Sequence, residues 1–326
     1  MKDQMIEIAG KKYEVIDAKE RMTVPDCFVL KNKIGIGHGE AKFYVGNDNQ
    51  ETRNFFDNFS RKCIFLKSDF IRYLEDARIE YKEPQQPYRR KSKLSEDWNN
   101  YWDEINSNKE EVLFFRIEEQ TQLKGTRVYI NSKNNVYKLV RKISLPKVTY
   151  ISALKLKSES DEIIYYFRLF LDYFGEEEHP SIINEKVEEI EKSEDIEETK
   201  KEQIKRARKG QGEYREKLLK ECPFCPITLI TDDRLLIASH IKPWVKSDNI
   251  EKTDTKNGFM FTPTYDFLFD RGFITFENDK TVTISPWLSK MTISKLNLVP
   301  GKKCTHLPVE GRERYLDYHR ENIFKK

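Results

Sequence analysis

The sequence predicts an α+β protein: an N-terminal mixed α+β domain over 1–183, a charged helical linker over 184–207, and a C-terminal domain over 208–326. Three observations predict it. Residues 1–180 mix short β-branched and aromatic runs with helix-like ones. Residues 184–209, "NEKVEEIEKSEDIEETKKEQIKRARK", lose nearly all apolar side chains. Residues 234–276 read strand, loop, strand, short helix. A chain of 326 residues is long enough for more than one domain, and 12% aromatic content argues against wholesale disorder.

In the N-terminal part, "KYEVI" (12–16), "KFYVG" (42–46), "EVLFFRIEEQ" (111–120), "TRVYI" (126–130) and "VYKLVRKI" (136–143) have strand composition. "KSDFIRYLEDAR" (67–78) reads as a helix capped by Ser68 or Asp69, and "SEDWNNYWDEI" (95–105) as another. "DEIIYYFRLFLDYFG" (161–175) exceeds usual strand length and ends at Gly175, so a buried helix is expected, with a strand as the alternative. "GIGHG" (35–39) lacks the spacing and lysine of a phosphate-binding loop, so it reads as a turn. "PYRRKSK" (87–93) is basic beside a tyrosine; Arg89 and Arg90 suit phosphates or a solvated loop equally. The linker is acidic first and basic last, which matches the dipole of a helix.

Net charge is +3, so the whole-chain balance does not identify a polyanion binder. Its distribution is more informative: residues 205–326 hold 23 Lys and Arg against 16 Asp and Glu. The opening "MKDQMIEIAGKKYEVI" lacks a signal-peptide core, and no run of about 18 apolar residues occurs, so a cytoplasmic chain with no membrane partner is expected. The five cysteines are odd in number and sparse, as reduced thiols are. Cys222 and Cys225 form "CPFC", half of a zinc site; Cys304 and His306 complete a four-ligand set if the chain returns there, and ordinary buried thiols are the alternative.

The C-terminal pattern carries chemistry. "RLLIASHI" (234–241) is a strand stopped by Pro243, "GFMFT" (258–262) a second strand, and "PTYDFLFDRG" (263–272) a two-turn helix closed by Gly272. On that helix Asp266 and Asp270 are four apart and share a face. Two like charges there suit a hard divalent cation; a helix cap or a pair with Arg271 is the plainer account. His240, ending the first strand, is expected within reach of both carboxylates, where an imidazole takes a proton from water.

His240, Asn257 and Asp266 resemble the signature positions of the HNH endonuclease superfamily, whose fold is ββα-metal. "RKGQGEYREKLL" (208–219), "CPIT" (225–228), "ASHIKPW" (238–244), "NGFMF" (257–261), "LFDRG" (268–272) and "YLDYHRENIF" (315–324) resemble its bacterial restriction-type branch over about 205–326. The resemblance implies a DNA endonuclease of a restriction or defence system, using Mg²⁺ or Mn²⁺ and leaving a 5′ phosphate. Carried over by position, His240 is the general base, Asn257 fixes the loop, and Asp266 and Asp270 hold the metal. Lys242, Arg271 and Arg215 are candidate phosphate contacts, Arg215 alternatively bracing the fold. The sequence departs at Ser239, where many members place a metal-binding Asp or His, and at Asp266, where the last signature residue is usually His. Double-stranded DNA is the expected partner, and cutting both strands implies a homodimer or two sequential nicks. A DNA-binding module with a decayed site and an RNA-cleaving or toxin-like nuclease are the alternatives.

Overall fold

The computed structural model describes residues 4–23, 42–84, 88, 91–120, 126–146, 148–171 and 212–326. The linker expected at 184–207 lies outside them, as do "GIGHG" with His38, and Arg89 and Arg90. The chain divides into two compact units: Met1–Glu176 with Pro286–Lys290, and Glu177–Ser285 with Met291–Lys326.

The first unit is built on one sheet. Its strands are β1 (Met5–Ile8), β2 (Lys11–Thr23), β3 (Phe43–Asn47), β4 (Cys63–Leu66), β5 (Val112–Phe115), β6 (Glu118–Glu119), β7 (Arg127–Asn131), β8 (Thr149–Ser158) and β9 (Ile163–Leu171). Their order is β5-β4-β9-β8-β2-β3-β7-β6, with β1 added to β2; β4 and β9 run parallel, and the other pairs antiparallel. The helices are α1 (Gln50–Phe55), α2 (Lys67–Lys82), α3 (Leu94–Asn106) and α4 (Asn135–Ile143). Phe70, Leu74 and Ala77 of α2, Trp98 of α3 and Val140 of α4 share a core with Phe65 and Phe167 of the sheet. A second core joins Ile64, Leu154, Leu156, Tyr166 and Phe170 to Trp287.

Three expectations change here. "VYKLVRKI" is helix α4, because Asn134 caps it and Tyr137, Val140 and Ile143 bury at helical spacing. The apolar run at 163–171 is the strand β9, not a helix: it lies between β4 and β8, where burial on both faces replaces the alternating pattern. Neither Ser68 nor Asp69 caps α2, whose N-cap residue is Leu66; Asp69 instead meets Arg168 at 3.0 Å inside the unit.

The second unit holds helix α5 (212–221), strands β10 (Ile237–His240) and β11 (Gly258–Phe261), helix α6 (Pro263–Asp270), strands β12 (Ile274–Phe276) and β13 (Val282–Ile284), and helix α7 (Glu313–Asn322). The expected order of strand, loop, strand and helix is found. β10 and β11 are antiparallel, with His240 opposite Gly258 and Ile237 opposite Phe261. Phe259, Phe261, Phe269 and Phe276 form an aromatic core behind them. Pro263 opens α6 at a position where a missing N–H costs nothing. Gly272 ends it at φ +69°, and a Cβ there would strike the Ile323 carbonyl.

Candidate active site

β10 presents neighbouring side chains to different partners, as alternation along a strand requires. Ser239 is buried and hydrogen-bonds the Asp266 side chain. His240 lies flat on Tyr214 of α5, with ring centroids 4.2 Å apart, and edge-on to Trp244 at 5.5 Å. Its Nε2 is 3.1 Å from the Lys252 carbonyl. A carbonyl only accepts, so Nε2 carries the proton and Nδ1 the lone pair. Burial lowers the His240 pKa to about 4, partly offset by the bond to Lys252, so the ring is neutral near pH 7.

Asn257 is fully buried and holds the loop between β10 and β11 closed. Its Oδ1 accepts from the Lys242 amide at 2.8 Å; its Nδ2 lies 3.2 Å from the Lys242 carbonyl, 3.2 Å from Ser247 Oγ and 3.1 Å from the Glu251 carbonyl. A side-chain amide supplies both a donor and an acceptor, which an aspartate does not at neutral pH. The loop carries Lys252, whose carbonyl orients His240, so Asn257 acts on the imidazole at one remove.

Asp266 is buried on α6. Burial pushes its pKa up to about 7; the Asp270 charge adds to the rise and the Ser239 hydrogen bond opposes it. Asp270, one turn on, is exposed, and Arg271 Nε stands 4.0 Å from it. A buried carboxylate with a second one beside it is a hard-oxygen donor set, and two carboxylates completed by water suit a small divalent cation. The residues therefore fit such an ion. Among the described residues, however, no three His, Cys, Asp or Glu side chains gather into a metal-holding group. Ser239 bonds Asp266, and the engaged nitrogen of His240 meets the Lys252 carbonyl.

The other expected residues are more occupied. Lys242 Nζ pairs with Glu251 at 2.6 Å. Arg271 lies 5.8 Å from the Phe267 ring. Arg215 donates to the carbonyls of Leu236 at 2.7 Å and Asp233 at 2.6 Å, which braces the entry to β10. Cys222 and Cys304 are buried thiols whose pKa burial raises, and Cys222 Sγ is 3.3 Å from the Phe224 carbonyl. Cys225 Sγ is 4.0 Å from Thr262 Oγ1, and His306 meets the Phe224 ring edge-on at 6.0 Å. His319 is bonded through both nitrogens, to Thr275 Oγ1 and the Phe269 carbonyl, each at 2.9 Å, and so ties α7 to the core.

Residues 225–277 match the model of the HNH endonuclease family. The C-terminal region carries an HNH-family domain. The match spans β10, the loop, β11 and α6, and with them His240, Asn257, Asp266 and Asp270. An HNH endonuclease domain supports a nuclease, a hydrolase acting on nucleic acid. No curated protein matches the chain. Among the described residues, no helix is long and apolar enough to cross a membrane.

Sequence reasoning missed two residues of the second unit that brace this site. Arg312 is buried with its Nε donating to the Gly258 carbonyl at 3.0 Å and its Nη2 to the Thr255 carbonyl at 3.3 Å, clamping the segment that carries Asn257. Nothing near Arg312 in sequence signals this. Tyr214 stands inside the lead-in "RKGQGEYREKLL", where its position hinted at a fixed role.

Proposed function

We propose that this protein is a divalent-metal-dependent DNA endonuclease in which His240 is the general base and Asp266 and Asp270 hold the metal. The observation that carries this reading is the contrast between two groups displaced from their ordinary range. His240, half-buried, is kept neutral with a lone pair on Nδ1, while burial and the Asp270 charge raise the pKa of Asp266 to about 7. Each is costly to maintain, and burial that pushes titratable groups away from their ordinary range is a mark of functional sites.

In this mechanism Nδ1 of His240 takes the proton of the attacking water, and the Lys252 carbonyl stabilises the imidazolium that forms. Asn257 keeps that carbonyl in place through its bond to Glu251, next in the chain. Ser239 holds the Asp266 carboxylate in one orientation where many family members place a further ligand. A bound Mg²⁺ or Mn²⁺ would supply charge stabilisation at the phosphoryl group and the departing 3′ oxygen. Lys242 and Arg271 are the nearby cations for backbone phosphates, and a phosphate contact needs little beyond charge. Arg215 is a brace in this scheme. The first unit supplies DNA recognition, and a restriction or defence system is the setting the branch resemblance favours.

Supercoiled plasmid, single-stranded DNA and RNA of matched length, each with Mg²⁺ or EDTA, test the reading. Nicking or linearisation of plasmid with Mg²⁺ alone is expected. Cleavage confined to RNA would transfer the activity to an RNA-cleaving nuclease, and plasmid binding without cleavage under any divalent ion would leave a binding module.

A further inference from the structure

His240 and His319 are both stacked and neutral, yet they are held differently, His319 buried and His240 half-buried. His319 lies 3.9 Å from Phe269, and both its nitrogens are bonded to protein. His240 has only Nε2 engaged, and among the described residues Nδ1 meets no hydrogen-bond partner. One hydrogen bond fixes one atom and leaves the ring able to turn about it, because χ2 of histidine is a broad torsion. For His240 that freedom is removed by Tyr214, whose ring lies 16° from parallel with the imidazole.

Tyr214 also reaches beyond the stack. Its hydroxyl donates to the Asn257 carbonyl at 2.9 Å, and a Cβ at Gly258 would strike that hydroxyl. A single aromatic side chain from α5 therefore touches β10, the loop and β11 together. The phenylalanines of this unit's core pack on one another at centroid distances of 5.3 to 6.1 Å; Tyr214 is closer than that to the imidazole.

We propose that Tyr214 is a positioning residue for His240: its ring face sets the plane of the imidazole, so that Nδ1 is the nitrogen offered to the reacting water. The proposal rests on His240 being the base. Trp244 meets the same ring edge-on.

The test uses the full chain with Tyr214→Phe and Tyr214→Leu. Two readouts are taken: steady-state cleavage of plasmid with Mg²⁺, and the ¹⁵N shifts of the His240 ring nitrogens without DNA. Tyr214→Phe keeps the stack and should retain a rate within about threefold of wild type. Tyr214→Leu should lower kcat by about 10- to 100-fold with little change in KM, since small misplacements of a reacting group cost that much. Its ring nitrogens should move from a single Nε2–H form to averaged values. A leucine variant with wild-type kcat and a single tautomer overturns the proposal. So does a phenylalanine variant that falls as far as leucine, since the hydroxyl would then carry the effect. If Tyr214→Leu does not fold, the wild-type His240 ring protons decide: ring-current upfield shifts from Tyr214 are expected, and their absence overturns the stack. Wild-type cleavage by His240→Ala would defeat the base assignment instead, and leaves the ¹⁵N comparison to judge the positioning by itself.

Discussion

Replacing Asp266 by asparagine should stabilise the HNH domain while removing its activity. The carboxyl is 6% exposed, and its pKa is raised from 3.8 to about 7, first by burial and then by Asp270. Between those two values the folded state binds more protons at this site than the unfolded state. Stability therefore falls as pH rises through that window, and the loss is complete above about pH 7. At 1.36 kcal/mol per tenfold change, the ionised carboxylate costs the fold about 4 kcal/mol at pH 8 without metal. Asparagine keeps an oxygen for Ser239 and carries no charge, so most of that cost disappears. The assay is urea denaturation in EDTA at pH 5 and pH 8, with amide exchange of β11 reporting on this unit. The variant should gain a few kcal/mol over wild type at pH 8 and much less at pH 5. Mg²⁺ at a hundred times its Kd should add about 2.7 kcal/mol to wild type and far less to the variant. Equal stability at pH 8, or an equal response to Mg²⁺, would refute the argument that Asp266 is a strained carboxylate kept for a cation.

Further outcomes follow from the same geometry. His240 and His319, both lowered from 6.5 to about 4 by burial, should titrate near 4 by NMR; the unfolded state binds more protons between those values, so each contributes stability that is lost as pH falls from about 6.5 to 4, and a midpoint near 6.5 would contradict the burial of either ring. Asn257→Ala removes a fully buried amide with four polar contacts and should cost about 2–4 kcal/mol in chemical denaturation, with loss of cleavage; a cost under about 0.5 kcal/mol would mean the loop is held by other bonds. Gly258→Ala should destabilise the unit by more than about 1 kcal/mol because its Cβ meets the Tyr214 hydroxyl, and Tyr214→Phe should recover part of that loss in a double-mutant cycle; strict additivity would place the clash elsewhere.

The second unit was more legible than the first. Pro243, Pro263 and Gly272 mark where chain direction must change, and they delimit β10 and α6 without reference to tertiary structure. In the first unit, burial on both faces of β9 erased the alternation that names a strand, and the aromatic and β-branched composition of α4 concealed a helix whose cap, Asn134, lies one residue before it. At the site, the spacing of Asp266 and Asp270 correctly put two interacting carboxylates on one helix, as the effect of Asp270 on Asp266 shows. The direction of His240 was not legible, because a strand residue's face depends on what packs against it. Ser239 read as a departure from the family pattern, and only the fold gives it the hydrogen bond to Asp266. Arg312 clamps the Asn257 segment from 54 residues beyond Gly258, a separation at which local pattern carries no information.

The account stands most directly on one comparison: plasmid cleavage with Mg²⁺ by wild type and by His240→Ala at matched DNA affinity, measured by fluorescence anisotropy in Ca²⁺. The variant should bind DNA as wild type does and lose cleavage by about 10³-fold, within the roughly 10²- to 10⁴-fold that general-base catalysis usually contributes. Cleavage within a few-fold of wild type, with binding unchanged, would remove the base from the site and the mechanism with it.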